Sequence, residues 1–294
     1  MHSLIDNIGN TPLVELKNIN TNSNVKVFAK LEGNNPGGSV KDRAAFGMIK
    51  GALDRGDLIP GETKLVEATS GNTGIALAMI ANLFNIEIEL IMPETATAER
   101  VKTMQAYGAK VILTSETVGM EGARDYAQEK VDGDGYVMLN QFGNPDNYKM
   151  HYRTTGPEIW RDTNNEISHF VSSMGTTGTI MGVSRFLKEQ NDNIQIVGAE
   201  PLDGAKIPGI RKWPEEYLPT IFDRNRVDEV VGVSEIDARA MTKKLAKEEG
   251  IFAGMSSGGA GHIAIELAKR LDSGVIVFIV CDRGDRYLSS DLFD

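Results

Sequence analysis

The chain is short of the residues that build several common kinds of site. It has one cysteine in 294 residues, Cys281, which excludes an internal disulfide and fits a reducing compartment. Its four histidines, His2, His151, His169 and His262, are scattered without ligand spacing and no Cys/His cluster accompanies them, so no metal is expected. Basic residues are in deficit: 31 Lys and Arg stand against 41 Asp and Glu, a net charge of −10. Nucleic acid and anionic membrane surfaces are therefore not expected partners. No segment approaches the ~20 apolar residues of a membrane span. The start, Met1-His-Ser-Leu-Ile-Asp-Asn-Ile8, has no basic region followed by an apolar stretch, and the expectation is a cytoplasmic protein.

What is present begins with Asn35-Pro-Gly-Gly-Ser-Val-Lys-Asp-Arg43, a glycine-rich turn between an alternating stretch, Val25 to Glu32, and a helical one, Ala44 to Leu53. Lys41 thus sits near a helix N-terminus. The helix dipole disfavours a cation there, and a neutral amine is the form that attacks a carbonyl. An arbitrary lysine beside Asp42 and Arg43 is more often a solvated surface charge. Two further turns raise this one above that reading.

The run Lys64-Leu-Val-Glu-Ala-Thr-Ser-Gly-Asn-Thr-Gly74 leads from a short apolar strand into a long helical stretch. The run Ile167 to Met174 followed by Gly175-Thr-Thr-Gly-Thr179 repeats the plan. Such turns aim backbone N–H groups and short polar side chains at one point, which is how an anion is held at a helix start. Gly175 to Thr179, with hydroxyls and little bulk, suits a phosphate; Ser70, Asn72 and Thr73 suit a carboxylate. Each turn alone is common in α/β proteins, and neither completes Gly-x-Gly-x-x-Gly, nor does the chain hold Gly-x4-Gly-Lys-Ser/Thr. A fourth turn, Gly254-Met-Ser-Ser-Gly-Gly-Ala260, precedes a helical stretch from Ile263 to Leu271, where Ser256 has the plain alternative of an N-cap.

These runs, with Ile8-Gly-Asn-Thr-Pro-Leu13, Gly119-Met-Glu-Gly-Ala123 and Gln141-Phe142, make the chain resemble the pyridoxal-phosphate-dependent cysteine synthases over nearly its whole length. Thr177, the run Ile207-Pro-Gly-Ile-Arg-Lys-Trp-Pro214 and Cys281-Asp-Arg-Gly-Asp-Arg-Tyr-Leu-Ser289 are similar to the B type of that family, which runs slightly further at the C-terminus. The resemblance implies pyridoxal 5′-phosphate as cofactor. Lys41 would form the internal Schiff base and, once displaced, remove the α-proton. Gly175, Thr176, Thr177, Gly178 and Thr179 would hold the phosphate, and Asn72 the ring's 3′-oxygen. Thr69, Ser70, Thr73 and Gln141 would grip the substrate carboxylate. Ser256 would face the pyridine nitrogen as a neutral hydroxyl, making the ring a weaker electron sink and favouring β-elimination over transamination.

The implied reaction is β-replacement: O-acetylserine and a sulfur donor, sulfide or thiosulfate, give L-cysteine or S-sulfocysteine plus acetate through an aminoacrylate, in a ping-pong order. Arg211 is either a solvated charge or a reader of an anionic substrate. Cys281, at the end of the apolar run Gly274 to Val280, is a small buried hydrophobe or a wall beside the ring. An O-phosphoserine sulfhydrylase, a serine or threonine dehydratase, a cystathionine β-synthase core and, further off, a non-enzymatic nucleotide-binding α/β protein stay open as alternatives.

Alternating strand and helix patterns predict parallel sheets with both faces covered. The family's arrangement is tryptophan-synthase-β-like: two α/β domains with the cofactor between them, N-terminal strands exchanged across, and a homodimer. The division predicted is 13–145 for a smaller domain, with residues about 35–47 packing with the other, and 146–294 plus 1–12 for a larger one. The stretch Gly204 to Arg226, rich in proline and charge, is too long for a plain connector and reads as an active-site loop or a subunit contact.

Overall fold

The computed structural model describes residues 3–133 and 135–294, so His2 lies outside the described residues. The strands are β1 (Leu13–Glu15), β2 (Val25–Leu31), β3 (Lys64–Ala68), β4 (Ile88–Pro93), β5 (Lys110–Thr114), β6 (Tyr136–Val137), β7 (His169–Ser173), β8 (Gln195–Pro201), β9 (Glu229–Val233) and β10 (Gly274–Val280). The helices are α1 (Lys41–Arg55), α2 (Asn72–Leu83), α3 (Ala98–Ala106), α4 (Gly119–Asp132), α5 (Pro145–Arg153), α6 (Thr155–Asp162), α7 (Gly178–Gln190), α8 (Glu235–Glu249) and α9 (Met255–Ala268). They form two sheets, one in the order β1-β2-β10-β7-β8-β9 and one in the order β5-β4-β3-β6. The β1–β2 pair is antiparallel and the other pairs are parallel.

Helices cover both faces of each sheet, which is why β4 is buried along its whole length and is apolar except for Glu89, whose carboxylate pairs with Lys110 and Lys130. Residues of α8 and α9 cover one face of the larger sheet and residues of α6 and α7 the other. On the smaller sheet, α1 and α2 bury Met48, Ile49 and Leu77 against one face, and α4 closes the opposite one with Ala123 and Ala127.

The sheet order corrects the predicted division at residue 13. Strands β1 and β2 precede the smaller sheet in the chain yet pair with the larger, β2 lying parallel to β10 from Val25 opposite Gly274 to Leu31 opposite Val280. A similar correction applies to β2 itself: its alternation predicts one wet face, but Lys30 on that face is fully buried. Helix α9 also starts earlier than predicted, at Met255. Glycines read as a turn are inside it because α8 passes close by: a Cβ at Gly258 would meet the backbone oxygen of Ala238 at 2.2 Å. Packing overrides local propensity here.

Lys30 belongs to an ion cluster that joins the first third of the chain to the larger sheet. The Arg43 guanidinium forks onto Glu32 through Nε and Nη2, at 2.7 and 2.8 Å, and onto Glu158 through Nη1 and Nη2, both at 2.7 Å. Lys30 Nζ reaches Glu158 at 2.8 Å and donates to the backbone oxygen of Thr11 at 2.6 Å. Burial alone would raise the Glu158 carboxyl, but Arg43 and Lys30 overcome it and hold the group near 2. Removing one partner of such a cluster strands a buried charge, so Arg43→Ala is expected to destabilise the fold by about 3–5 kcal/mol in urea denaturation. A loss below ~1 kcal/mol would mean that water reaches the cluster.

Candidate active site

The carboxyl ends of both sheets open onto one cavity of about 320 Å³. Parallel sheets place the starts of their following helices at that end, so the glycine-rich turns converge there. Lys41, Thr69, Ser70, Asn72, Thr73 and Gln141 line it from the side of the smaller sheet. Gly175, Thr176, Thr177, Thr179, Arg211 and Ser256 line it from the other. Gly178 is the one predicted site residue that does not face the cavity; its role is to let α7 lie close to α5, since a Cβ there would meet Asn147 Oδ1 at 2.0 Å.

Lys41 is the first residue of α1, and its approach is pinned to the larger sheet. Val40 N donates to the backbone oxygen of Cys281 at 2.8 Å, and Ser39 pairs with Asp282 as an isolated bridge. The lysine is thereby held at the end of the central strand β10. Burial pushes the Cys281 thiol up to about 11, so it stays protonated beside Lys41 and acts as wall.

The turn Gly175–Thr179 has the features of a phosphate cradle. Thr177 adopts a left-handed backbone, φ 68°, a conformation rare for a β-branched residue. Its Oγ1 is buried without a hydrogen-bond partner. A Cβ at Gly175 would meet the oxygen of Gly209 at 2.6 Å, so a glycine is required where the loop from 204 to 226 crosses. That loop is tied down by Trp213 Nε1, which donates to the oxygen of Gly175 at 2.8 Å, and by Arg211 N, which donates to Met174 at 3.0 Å. Free N–H groups at the start of α7, an orphaned hydroxyl and a floor without side chains fit a phosphate-bearing cofactor.

Residues 4–282 match the family described as pyridoxal-phosphate dependent enzyme. The chain belongs to this family. It is 56% identical to cysteine synthase B of Pseudomonas aeruginosa over 99% of its own length and 97% of that protein's. Among solved structures it is similar to an O-ureido-L-serine synthase, at a TM-score of 0.94 and 37% identity, covering all of this chain and 95% of that one. It is likewise similar to a cysteine synthase from Entamoeba histolytica, at a TM-score of 0.94 and 38% identity, covering all of this chain and 90% of that one.

Within this pyridoxal-phosphate enzyme the remaining predicted residues already have partners. Asn72 Nδ2 donates to Asp282 Oδ2 at 2.6 Å, while Arg286 donates to Asn72 Oδ1. Tyr287 OH shares the same Asp282 oxygen at 2.6 Å. Thr73 Oγ1 donates to Gln141 Oε1 at 2.8 Å, so these two residues form one unit spanning the cavity edge. Ser256 is buried in the first turn of α9, its backbone oxygen held by Ser173 Oγ at 2.7 Å. Arg211 is exposed at the mouth with its guanidinium 5.3 Å from the Trp213 ring centroid. Among the described residues no group of acidic, histidine or cysteine side chains is arranged to hold a metal ion, and no helix is long and apolar enough to cross a membrane.

Several supporting residues escape a motif search because their partners are distant in sequence. Asp282 clasps Asn72 from 210 positions away. Glu67 lies one strand residue before the Thr69 turn, buried, and accepts from the backbone N–H groups of Leu139 and Asn140, just ahead of Gln141. Its only signal in the sequence is an acid inside an apolar strand.

Burial pushes the Glu67 carboxyl up from its ordinary 4.5 to about 7 against those two hydrogen bonds. Between these values the folded chain keeps a proton that the unfolded chain has released, so Glu67 lowers stability as pH rises across that window and by a constant amount above it. Glu67→Gln should therefore gain on the parent protein as pH rises from about 4.5 to 7 and hold a level advantage beyond, on the order of a few kcal/mol. Parallel stability curves in urea melts across that range would place the carboxyl in water.

Proposed function

We propose that the protein is a cytoplasmic cysteine synthase of the B type that replaces the acetate of O-acetylserine by sulfide or thiosulfate, giving L-cysteine or S-sulfocysteine. The observation that carries this reading is the convergence, in one cavity, of a lysine at a helix start, a phosphate cradle and a separate carboxylate-sized turn, in a chain 56% identical to a protein named cysteine synthase B. Pyridoxal phosphate, when bound, supplies the electron sink that lets a substrate α-proton be lost. The residues of this chain supply the rest.

Lys41 would hold the cofactor through its Nζ and, once freed by the substrate amine, the same Nζ would be placed to take the α-proton. Thr69, Ser70 and the Thr73–Gln141 pair hold the substrate carboxylate at the start of α2, where the helix dipole favours an anion. Asn72, its amide fixed by Asp282 and Arg286, is assigned to the ring oxygen, and Ser256 to the pyridine nitrogen. Thr176, Thr177 and Thr179 would hold the phosphate. Lys41 Nζ, having taken that proton, would be the group placed to return it at the α-carbon once sulfur has joined the β-carbon. A homodimer and a reducing compartment belong to the same reading, the latter supported by the single cysteine of the chain.

Arg211 gives a specific reason to keep phosphoserine and thiosulfate beside acetylserine and sulfide. It lines both the cavity and the wider groove of about 1260 Å³ outside it. A guanidinium there can fork onto an incoming oxyanion.

Two measurements test the reading. Lys41→Ala should lose turnover and the visible absorbance of bound cofactor; full activity in that variant refutes the assignment. In steady-state comparison of acetylserine and phosphoserine with sulfide and thiosulfate, Arg211→Ala should lose roughly tenfold to a hundredfold in kcat/KM with the anionic partners and much less with acetylserine and sulfide. Equal losses on all four would leave Arg211 a support of the Trp213 loop, and formation of pyruvate from unmodified serine would make the protein a dehydratase.

A further inference from the structure

We infer that Asn147 and His151, one turn apart on α5, fix the direction of the hydroxyl hydrogens in the cradle, so that Thr176 and Thr179 both present O–H donors to the cofactor's phosphate. This rests on the reading of Gly175–Thr179 as the phosphate site. Both residues are buried to 1% exposure, and neither is used by the chemistry above.

Asn147 Nδ2 donates to the backbone oxygen of Gln141 at 2.8 Å, a contact that fixes which end of the amide carries the hydrogens. The same nitrogen is 3.2 Å from Thr176 Oγ1, to which Gly178 N also donates at 3.4 Å. Thr176 Oγ1 thus receives two hydrogens, and its own is left to point into the cradle.

His151 does the equivalent for Thr179. Its Nδ1 is 2.9 Å from Thr155 Oγ1 and its Nε2 is 3.3 Å from Thr179 Oγ1. Burial, helped by the nearby charge of Arg43, pushes the ring down to about 3, so it is neutral with one donor and one acceptor nitrogen. A phosphate offers only acceptors, and a threonine has one hydroxyl hydrogen. For Thr179 to donate that hydrogen to phosphate it must accept from His151, which places the ring proton on Nε2 and makes Thr155 the donor to Nδ1. Histidine here supplies direction, with no positive charge on the phosphate.

The helices are built for this approach. A Cβ at Gly178 would meet Asn147 Oδ1 at 2.0 Å, and one at Gly182, a turn further along α7, would meet His151 Cβ at 2.6 Å. Glycine at both positions lets α5 reach the cradle from behind.

The test titrates the full-length chain, stripped of cofactor, with pyridoxal phosphate and with pyridoxal, which lacks the phosphate. Two polar variants separate the nitrogens: the amide of His151→Gln reaches the place of Nε2, that of His151→Asn only the place of Nδ1. We expect His151→Asn to bind pyridoxal phosphate roughly tenfold more weakly, a lost hydrogen bond to a charged acceptor, with His151→Gln near the parent and pyridoxal affinity the same in all three. In the Thr179→Val background His151→Asn should cost nothing further, because the histidine acts through that hydroxyl. Equal behaviour of the Gln and Asn variants, equal losses with pyridoxal, or additive losses with Thr179→Val would overturn the inference and leave His151 a packing residue. If the parent protein itself fails to bind pyridoxal phosphate, the cofactor reading falls with it; normal binding by the parent and by every His151 variant overturns the inference alone.

Discussion

The burial of Arg43 between Glu32 and Glu158 is the constraint on which the rest depends. Removing a guanidinium and two carboxylates from water is costly, and it is offset only where every donor meets an acceptor. Arg43 meets that condition by a double fork that joins α1, the turn after β2, and α6. Because Lys41 lies two residues before Arg43 on the same helix, the cluster also fixes where the lysine begins. A hydrophobic contact of equal area would tolerate sliding of α1, whereas bidentate pairs do not.

From that anchor the cavity is assembled by contacts that cross between the two sheets. Asp282 follows β10 of the larger sheet and takes hydrogen bonds from Asn72 on α2 and from Tyr287. Asn147 links the backbone oxygen of Gln141 to Thr176 of the cradle. The two sides of the cavity are thus joined by buried, directional contacts.

Much of this was legible in the sequence, and the reasons divide by distance along the chain. Strand, turn and helix at Lys64–Leu83 and at His169–Gln190 declare themselves because apolar periodicity and glycine are local signals. The residues facing the cavity were legible because four glycine-rich turns ahead of helices occur in one chain. The exchange of N-terminal strands between domains came only with the family resemblance, and its extent at β1 and β2 was not legible, since nothing in Val25–Leu31 says which strand lies beside it. Lys30 looked solvated because alternation reports two faces without reporting that α6 covers the second. Asn147, His151 and Asp282 were silent because an isolated polar residue becomes informative only when its partner, dozens or hundreds of positions away, is brought beside it. The start of α9 was hidden by glycines whose purpose is contact with α8.

The loop from Gly204 to Arg226 has only short turns of helix, at Glu215–Tyr217 and Arg224–Arg226, and it touches the cradle through Trp213 and Gly175. It contributes no strand to either sheet and none of the cluster around Arg43. Its first half is held, since Ile207 and Ile210 are buried in the core of the larger sheet and Gly209 lies against Gly175, so only the exposed run from Pro214 to Leu218 is free to vary without disturbing the core or the cradle.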